Sequence, residues 1–363
     1  MIALLSGARR NVGDHLITER ARALLEALRP EPLQWFPNWE PLDDRVEELR
    51  DATALVIAGG PGLRPKMYGG VYPLFSDPEV LLDLKARLVF LGSGWKALIG
   101  DSWDFRHEVF DSRTRGLLDR LGDRAVFSVR DNLSREMLRR NGIDAEMTGC
   151  PVWYDLNRMG TDPQTPKAIA RIVFTEPRNP AIRPQSLGLL SALQVTYPGA
   201  QIVCSCHHGF DGIEEYVADV ERMGIEVRDT AADTARIAFY DDFDVHVGYR
   251  VHAGLYFLSH RKPSVIVCED ARGRGAAEAL GVPWIPAWAY TAAGAVTRRI
   301  APYGRVAAVS KRLGPLVVPR RDVPRTAIDV LSAQQTNGWR AFRGVGTRID
   351  SHYHVMKRYI ESF

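Results

Sequence analysis

Arg250 and His252 stand two residues apart at the start of a predicted helix, Val251–Ser259. The helix follows a predicted strand, Val245–Val247, so both side chains lie where a strand ends. A guanidinium group there can bind a carboxylate or a phosphate through two parallel N–H···O bonds. The helix dipole favours the neutral imidazole of His252 and a bound phosphate favours the protonated one, which is typical of a proton donor. The alternative is a histidine that only packs or faces solvent.

A second arginine occupies the same kind of junction in the first half of the chain. Arg130 follows the predicted strand Ala125–Val129 and precedes Asp131 and a helix that ends near Gly142. Ligands of open parallel sheets bind beyond the carboxyl ends of the strands. Arg130 is therefore a second candidate for binding an anion. Its alternative roles are an ion pair with Asp131 and a contact between domains.

Three further loops carry glycine at the ends of predicted strands: Asn11–Asp14, Gly59–Gly62 and Gly92–Gly94. Glycine lets the backbone approach a ligand closely, and helix N-termini present unpaired N–H groups to anions. Neither glycine run has the spacing of a Walker loop or of a dinucleotide fingerprint. The loops therefore indicate a small-molecule site without identifying a nucleotide, and tight turns without a ligand are the alternative.

One cluster has the residue types of a metal site, Cys204-Ser205-Cys206-His207-His208. Cys204 and Cys206 alternate along a predicted strand and so share one face, and no second pair has the spacing of a zinc site. We expect these cysteines to fill the core and predict no metal.

The elements that position these residues follow from the alternation of short apolar runs with amphipathic segments, which is typical of parallel sheets covered by helices. Glycine and proline are frequent over 149–166, where we place a linker. The pattern predicts an α/β fold of two Rossmann-like domains that face a cleft, over 1–160 and 167–320. Helices over 321–363 are expected to pack back on the first domain. Asp14 is expected to cap the first helix.

Composition excludes several classes of protein. The 363 residues are 45% hydrophobic and 25% charged with a net charge of +3, which excludes a disordered chain and argues against a nucleic-acid partner. No run approaches the ~18 apolar residues of a membrane span, and Met1–Leu5 is too short for a secretory signal. Four scattered cysteines do not make a disulfide framework. We therefore expect a cytoplasmic protein with no transmembrane segment.

An ordered set of motifs resembles the polysaccharide pyruvyl transferases. The set is Asn11-Val12-Gly13-Asp14, Gly59-Gly60, Ser128-Val129-Arg130-Asp131, Gly149-Cys150-Pro151-Val152 and Arg250-Val251-His252-Ala253-Gly254-Leu255. The resemblance implies a bacterial enzyme of polysaccharide biosynthesis with a fold like that of the GT-B glycosyltransferases. It also implies that phosphoenolpyruvate is the donor of a cyclic pyruvate ketal, formed on two hydroxyls of a sugar without a metal or organic cofactor. Pro61 departs from the family, which often has a third glycine there.

The resemblance assigns phosphoenolpyruvate to Arg130, Arg250 and His252, and we expect His252 to be the general acid. On the acceptor side we expect five residues to line the cleft: Asn11, Asp14, His15, Gly60 and Trp95. The face of Trp95 can stack on sugar C–H groups, or the residue can be part of the packing. The acceptor is a saccharide that is free, polymer-linked, lipid-linked or nucleotide-linked.

Two other functions stay open at this point. A glycosyltransferase of the same two-domain shape would use a nucleotide sugar, and a non-catalytic relative would bind a sugar or phosphate without turnover. The segment Thr347–Phe363 carries His352, His354, Lys357 and Arg358. It is a solvated helix face, or it touches the cleft or an anionic lipid headgroup at the membrane surface.

Overall fold

The computed structural model describes residues 1–63, 65–66, 75–95, 109–300 and 316–363, except for the side chains of residues 297–300. Contacts divide the described residues into two units. The first takes in 1–95, 109–160 and 347–363, and the second takes in 161–346. Each unit contains its own sheet, so each is described by itself.

The first unit is built on a six-stranded parallel sheet in the order β2-β1-β3-β4-β5-β6. Its strands are β1 (Ile2–Ser6), β2 (Leu33–Pro37), β3 (Ala54–Ala58), β4 (Arg87–Ser93), β5 (Ala125–Val129) and β6 (Glu146–Met147). Every residue of β1 and β3 is buried. Unbroken apolar runs of this kind form the inner strands of parallel sheets, which are covered on both faces.

The helices of the first unit connect these strands: α1 (Val12–Leu28), α2 (Val46–Leu49), α3 (Val80–Asp83), α4 (Ser112–Leu121) and α5 (Asn132–Arg140). The prediction that Asp14 caps α1 is wrong, because the cap residue is Asn11. Asn11 has an extended backbone, and its side chain accepts a hydrogen bond from the Gly13 N–H. Asp14 already lies in the first turn, with its own N–H bonded to the Asn11 carbonyl, because the helix begins two residues before it.

The second unit contains a six-stranded parallel sheet in the order β12-β11-β10-β7-β8-β9. Its strands are β7 (Arg171–Thr175), β8 (Gln201–Cys206), β9 (Glu226–Asp229), β10 (Val245–Gly248), β11 (Ser264–Cys268) and β12 (Trp284–Pro286). A two-stranded antiparallel sheet follows, of β13 (Trp288–Tyr290) and β14 (Val317–Pro319). The chain order of the strands differs from their order in the sheet, which places β7 between β8 and β10.

Helices of the second unit flank this sheet: α6 (Arg183–Thr196), α7 (Glu214–Arg222), α8 (Val251–Ser259), α9 (Ala271–Leu280), α10 (Ala292–Ile300), α11 (Val323–Thr336) and α12 (Arg340–Arg343). Helix α11 packs on α6 within this unit. The predicted α/β class, with two Rossmann-like domains of parallel strands flanked by helices, is confirmed. Among the described residues, no helix combines the length and the apolar character that crossing a bilayer requires.

The chain returns to the first unit in its last helix, α13 (Val345–Glu361). Met356 and Ile360 are fully buried. The Tyr359 hydroxyl donates to the Phe90 carbonyl of β4 over 3.1 Å, and Arg29 donates to the Ile360 carbonyl over 3.0 Å. Helix α13 is therefore part of the packing of the first unit.

A buried histidine joins three strands of the second sheet. His246 of β10 lies within 2.9 Å of the Thr175 hydroxyl on β7 and within 2.9 Å of the Ser264 hydroxyl on β11, one partner at each ring nitrogen. Burial lowers the pKa of His246 to about 3, so the ring is neutral at pH 7. His246 therefore hydrogen-bonds to both of the strands that flank β10, and β7 and β10 carry the residues discussed next.

Candidate functional site

The turn after β10 places Arg250 against the end of β7. A Cβ at Gly248 would lie 2.6 Å from the Thr175 nitrogen and 2.7 Å from its carbonyl oxygen, so only glycine lets the two strands approach this closely. The N–H groups of Tyr249 and Arg250 then donate to the carbonyl and the hydroxyl of Thr175. The carboxyl ends of β7 and β10 are thereby held together by the backbone.

Arg250 forms an ion pair with Glu176, the residue that follows β7. Its Nη2 atom lies 2.5 Å from Glu176 Oε1, and the two side chains are 12% and 1% exposed. The same oxygen accepts the His207 N–H over 2.9 Å at the end of β8. Burial raises the pKa of the Glu176 carboxyl, against the opposite effect of Arg250. A charge pair at such depth holds the guanidinium in one place.

Two polar atoms of this pair have unused hydrogen-bonding capacity. Among the described residues, neither Glu176 Oε2 nor Arg250 Nε has a hydrogen-bond partner, and both atoms are buried. Unsatisfied buried groups are rare in folded proteins and call for an explanation. A ligand at this edge that carries a negative charge would satisfy the guanidinium.

His252 lies on the first turn of α8 and is 6% exposed. Arg250 is the cap residue of the same helix, with an extended backbone. The neighbouring His207 is buried; burial, together with the nearby Arg250 and His252, holds its pKa well below the usual range. The second sheet thus gathers an arginine, a glutamate and two histidines at the carboxyl ends of β7, β8 and β10.

Arg130 lies at the corresponding edge of the first sheet and is 3% exposed. Its guanidinium occupies the space above Gly94, where a Cβ would lie 2.1 Å from Arg130 Nε. The Nε atom is 3.3 Å from Asp131 Oδ2, and Asp131 in turn caps α5 through the Ser134 N–H. In the described part of the chain, Arg130 Nη2 is buried without a hydrogen-bond partner. The ion pair with Asp131, which was the alternative to anion binding, is present and leaves this donor unused.

The remaining polar residues predicted for the first unit gather around the start of α1. The Asn11 amide donates to the Asp14 carboxylate over 2.7 Å. His15 follows on the same turn, and its buried Nε2 atom has no hydrogen-bond partner among the described residues. Gly60 has a φ of +59°, and a Cβ there would have no described atom within 4 Å.

Trp95 does not present a face to solvent. It is 1% exposed, and its ring packs edge-to-face on Phe110 with centroids 5.3 Å apart. An aromatic pair that the sequence analysis did not identify stands at the same sheet edge instead. Trp35 of β2 is 41% exposed, and its ring lies 5.9 Å from that of Trp39.

The cysteine–histidine cluster belongs to the core of the second unit. Cys204, Cys206 and His207 are buried, and the His207 ring lies 2.9 Å from the Tyr240 hydroxyl. In the ranges that the structure describes, no group of three histidine, cysteine or acidic residues could hold a metal ion.

Glu176 was missed by the sequence analysis. A signal was present, since Phe174-Thr175-Glu176 places an acid directly after an apolar strand. Its meaning depends on β7 lying beside β10, and these strands are far apart in the chain and neighbours only in the sheet.

Solved structures share this fold. A Listeria monocytogenes protein described as a UDP-N-acetylglucosamine 2-epimerase has a TM-score of 0.58 and 11% identity, over 100% of this chain and 96% of that one. A UDP-GlcNAc 2-epimerase from Neisseria meningitidis, solved with UDP-GlcNAc, has a TM-score of 0.50 and 10% identity, over 92% and 99%. At such identity the likeness shows the fold alone.

The comparison with curated proteins found no match. The family model described as polysaccharide pyruvyl transferase matches residues 11–268, more than half of the chain. The match includes Asn11, Arg130, Arg250 and His252, and it extends across both sheets. The chain belongs to the polysaccharide pyruvyl transferase family and is a transferase enzyme.

Proposed function

We propose that the enzyme transfers pyruvate from phosphoenolpyruvate onto two hydroxyls of a saccharide as a cyclic ketal. One hydroxyl oxygen bonds to C2 of the enol while a proton is delivered to the methylene carbon, which becomes the ketal methyl group. Phosphate leaves from C2, and the second hydroxyl oxygen bonds there to close the ring. One hydroxyl proton replaces the proton delivered to the methylene carbon, and the other leaves with the phosphate.

The observation that carries the proposal is the group formed by Arg250, Glu176 and His252 at the end of β10. Phosphoenolpyruvate presents a carboxylate and a phosphate, and arginine binds either through paired N–H groups. Glu176 fixes the guanidinium from the protein side. We assign Arg250 to the donor anion and His252, two residues on, to protonation of the methylene carbon. Removal of such a general acid usually costs about 10²–10⁴-fold in rate.

We assign Arg130 to the same donor. Its buried guanidinium has one unused donor group and is seated on Gly94. Two guanidinium groups balance most of the charge of a trianion, which phosphoenolpyruvate is near neutral pH. The proposed reaction uses phosphoenolpyruvate as a substrate and requires no cofactor.

The saccharide acceptor is assigned to the first unit, at Asn11, Asp14, His15 and Gly60. Amide, carboxylate and imidazole groups match the donors and acceptors of sugar hydroxyls. We place the reaction in the bacterial cytoplasm, where phosphoenolpyruvate is made. A lipid-linked acceptor would bring the enzyme to the membrane surface, where the exposed Lys357 and Arg358 of α13 suit anionic headgroups.

The test is phosphate release from phosphoenolpyruvate across a panel of saccharides, with the ketal methyl group followed by NMR. We expect release that depends on the acceptor, and a loss of about 10²-fold or more in His252→Ala. The exposed His354 gives a matched control, and His354→Ala should keep full activity. Turnover of a nucleotide sugar where phosphoenolpyruvate is inert would overturn the proposal, as would ketal formation in His252→Ala at the wild-type rate.

A further inference from the structure

Two tryptophans stand at the edge of the first sheet, on the side where β1 and β2 end. Trp35 is 41% exposed, the one aromatic residue among the large exposed apolar side chains of the described ranges. The Trp35 and Trp39 rings meet at 61° with centroids 5.9 Å apart. The two indoles, here called the tryptophan corner, form an open angle rather than a closed stack.

The loop after β1 contacts both rings of the tryptophan corner. Trp35 Nε1 donates to the Ser6 carbonyl over 3.3 Å, which satisfies the polar group of the ring and leaves its apolar faces. A Cβ at Gly7 would lie 3.0 Å from the Trp39 ring, and Gly7 has a φ of +97°. Gly7 therefore allows both the positive φ of this loop and the close approach of the Trp39 ring. A fixed ring loses little entropy when it binds a ligand.

Polar groups border the same loop. Thr18 lies 3.3 Å from the Cβ position of Gly7 and donates to the Asp14 carbonyl, so the tryptophan corner adjoins the helix turn that holds the Asn11–Asp14 pair. In the described part of the chain, the Asn38 Oδ1 atom is buried and accepts no hydrogen bond. Asn38 stands between the two tryptophans in sequence, and its oxygen can accept from a ligand hydroxyl.

We propose that Trp35 and Trp39 form a binding subsite for one pyranose ring of the saccharide acceptor. A pyranose has an apolar face of C–H groups and a rim of hydroxyls, and exposed apolar patches bordered by polar groups mark binding sites. The C–H face packs on the indoles, and the hydroxyls reach Asn38 and the Asn11–Asp14 pair. The inference rests on the proposed saccharide acceptor and specifies what holds it.

The experiment measures binding without turnover, by saturation-transfer NMR with methyl glycosides of glucose, galactose and mannose and no phosphoenolpyruvate. The variants are Trp35→Ala, Trp39→Ala and Trp35→Phe, with Val195→Ala as a control at an exposed apolar residue of the second unit. We expect affinity for at least one glycoside to fall about tenfold or more in each alanine variant. Trp35→Phe, which keeps a ring, should lose less, and Val195→Ala should match the wild type.

Equal glycoside binding in the wild type and both alanine variants would overturn the subsite, as would no binding of any glycoside to the wild type. A second copy of the chain covering the corner is tested by sedimentation. A wild-type dimer that both alanine variants convert to a monomer, with glycoside binding unchanged, also contradicts the proposal. Glycoside binding that depends on the tryptophans, together with inert phosphoenolpyruvate, would support the subsite and count against the proposed function.

Discussion

Arg250 and Glu176 carry opposite charges. Because both side chains are largely buried, each charge is compensated by the other. Removal of one partner of a buried ion pair leaves the other charge without compensation and is costly, whereas the intact pair adds little stability. An anionic donor at Arg250 would supply the same compensation from the ligand side. If the proposed donor binds there, the pair links the stability of the second unit to occupation of its sheet edge.

Replacement of Glu176 tests this link. We expect Glu176→Leu to lower the free energy of unfolding by about 3 kcal/mol, the lower end of the range for a broken buried pair, because Arg250 is 12% exposed. Glu176→Gln should lose less, since an amide oxygen still accepts from Arg250 and from the His207 N–H. Urea unfolding with and without phosphoenolpyruvate measures both effects, and the ligand should recover more stability in the leucine variant.

The exposed Glu226 offers the control, and Glu226→Leu should change stability by no more than about 0.5 kcal/mol. If Glu176→Leu is as stable as Glu176→Gln, then the ion pair does not fix Arg250.

A substitution at Gly94 tests the role of Arg130 without changing the arginine itself. A methyl group at Gly94 would stand where the guanidinium lies, so Gly94→Ala should displace Arg130. The expected result is a Kd for phosphoenolpyruvate about 10- to 100-fold higher, equivalent to hydrogen bonds to a charged group worth about 1.5–3 kcal/mol. Isothermal titration measures it.

Gly116 of α4 is the matched control, because a side chain there would contact none of the described atoms. Gly116→Ala should leave donor binding unchanged and add up to about 1 kcal/mol of helix stability. Donor binding of wild-type strength in Gly94→Ala would remove Arg130 from the donor site.

At the scale of elements, His246 makes the second sheet sensitive to acid. Its folded-state pKa of about 3 lies below the ordinary value near 6.5, so between these values the unfolded chain binds a proton that the folded chain does not. Stability therefore rises with pH across that window and falls on acidification, by up to about 1.4 kcal/mol per pH unit. Urea midpoints at pH 7 and pH 5 measure the slope.

His246→Gln should flatten this slope, because glutamine does not titrate and its amide can bond to Thr175 or Ser264. The buried His207, whose pKa is also lowered, contributes with the same sign, so part of the slope should remain. An unchanged slope in His246→Gln would show that the histidine is not buried as described.

The elements that sequence predicted best are those whose signal is local. Strand Ala125–Val129 and helix Val251–Ser259 have the predicted bounds, because a continuous apolar run or a helical period is contained within the segment. The edge strand β2 was missed, since Leu33–Pro37 is short, is interrupted by the polar Gln34 and ends in proline. The tryptophan corner was missed with it.

Side-chain neighbours across the sheet could not be predicted in the same way. The junction that carries Arg250 and His252 is visible in sequence as a strand followed by a helix start. The partner of Arg250 is not visible, because it depends on which strand lies next to β10. Trp95 shows the same limit, since its ring packs on Phe110, which is not a neighbour in sequence. The donor and acceptor assignments themselves stay predictions.

At the scale of the whole molecule, α13 connects the end of the described chain to the core of the first unit. Ile360→Ala should lower the stability of that unit by about 2–5 kcal/mol, the usual range for a buried isoleucine cut back to alanine. Hydrogen exchange should then speed up in β3 and β4 and stay unchanged in β8 of the second unit. The exposed neighbour Glu361→Ala is the control, and equal exchange in both variants would contradict the packing of α13.

The position of α13 has a consequence for synthesis. Residues 1–160 emerge from the ribosome first. Helix α13, which packs on the first unit, emerges only after residues 161–346. Nascent domains generally fold in the order in which they emerge. The first unit of this protein cannot complete its packing in that order, because α13 is translated after the second unit. We expect the nascent chain to need protection by chaperones until α13 is translated.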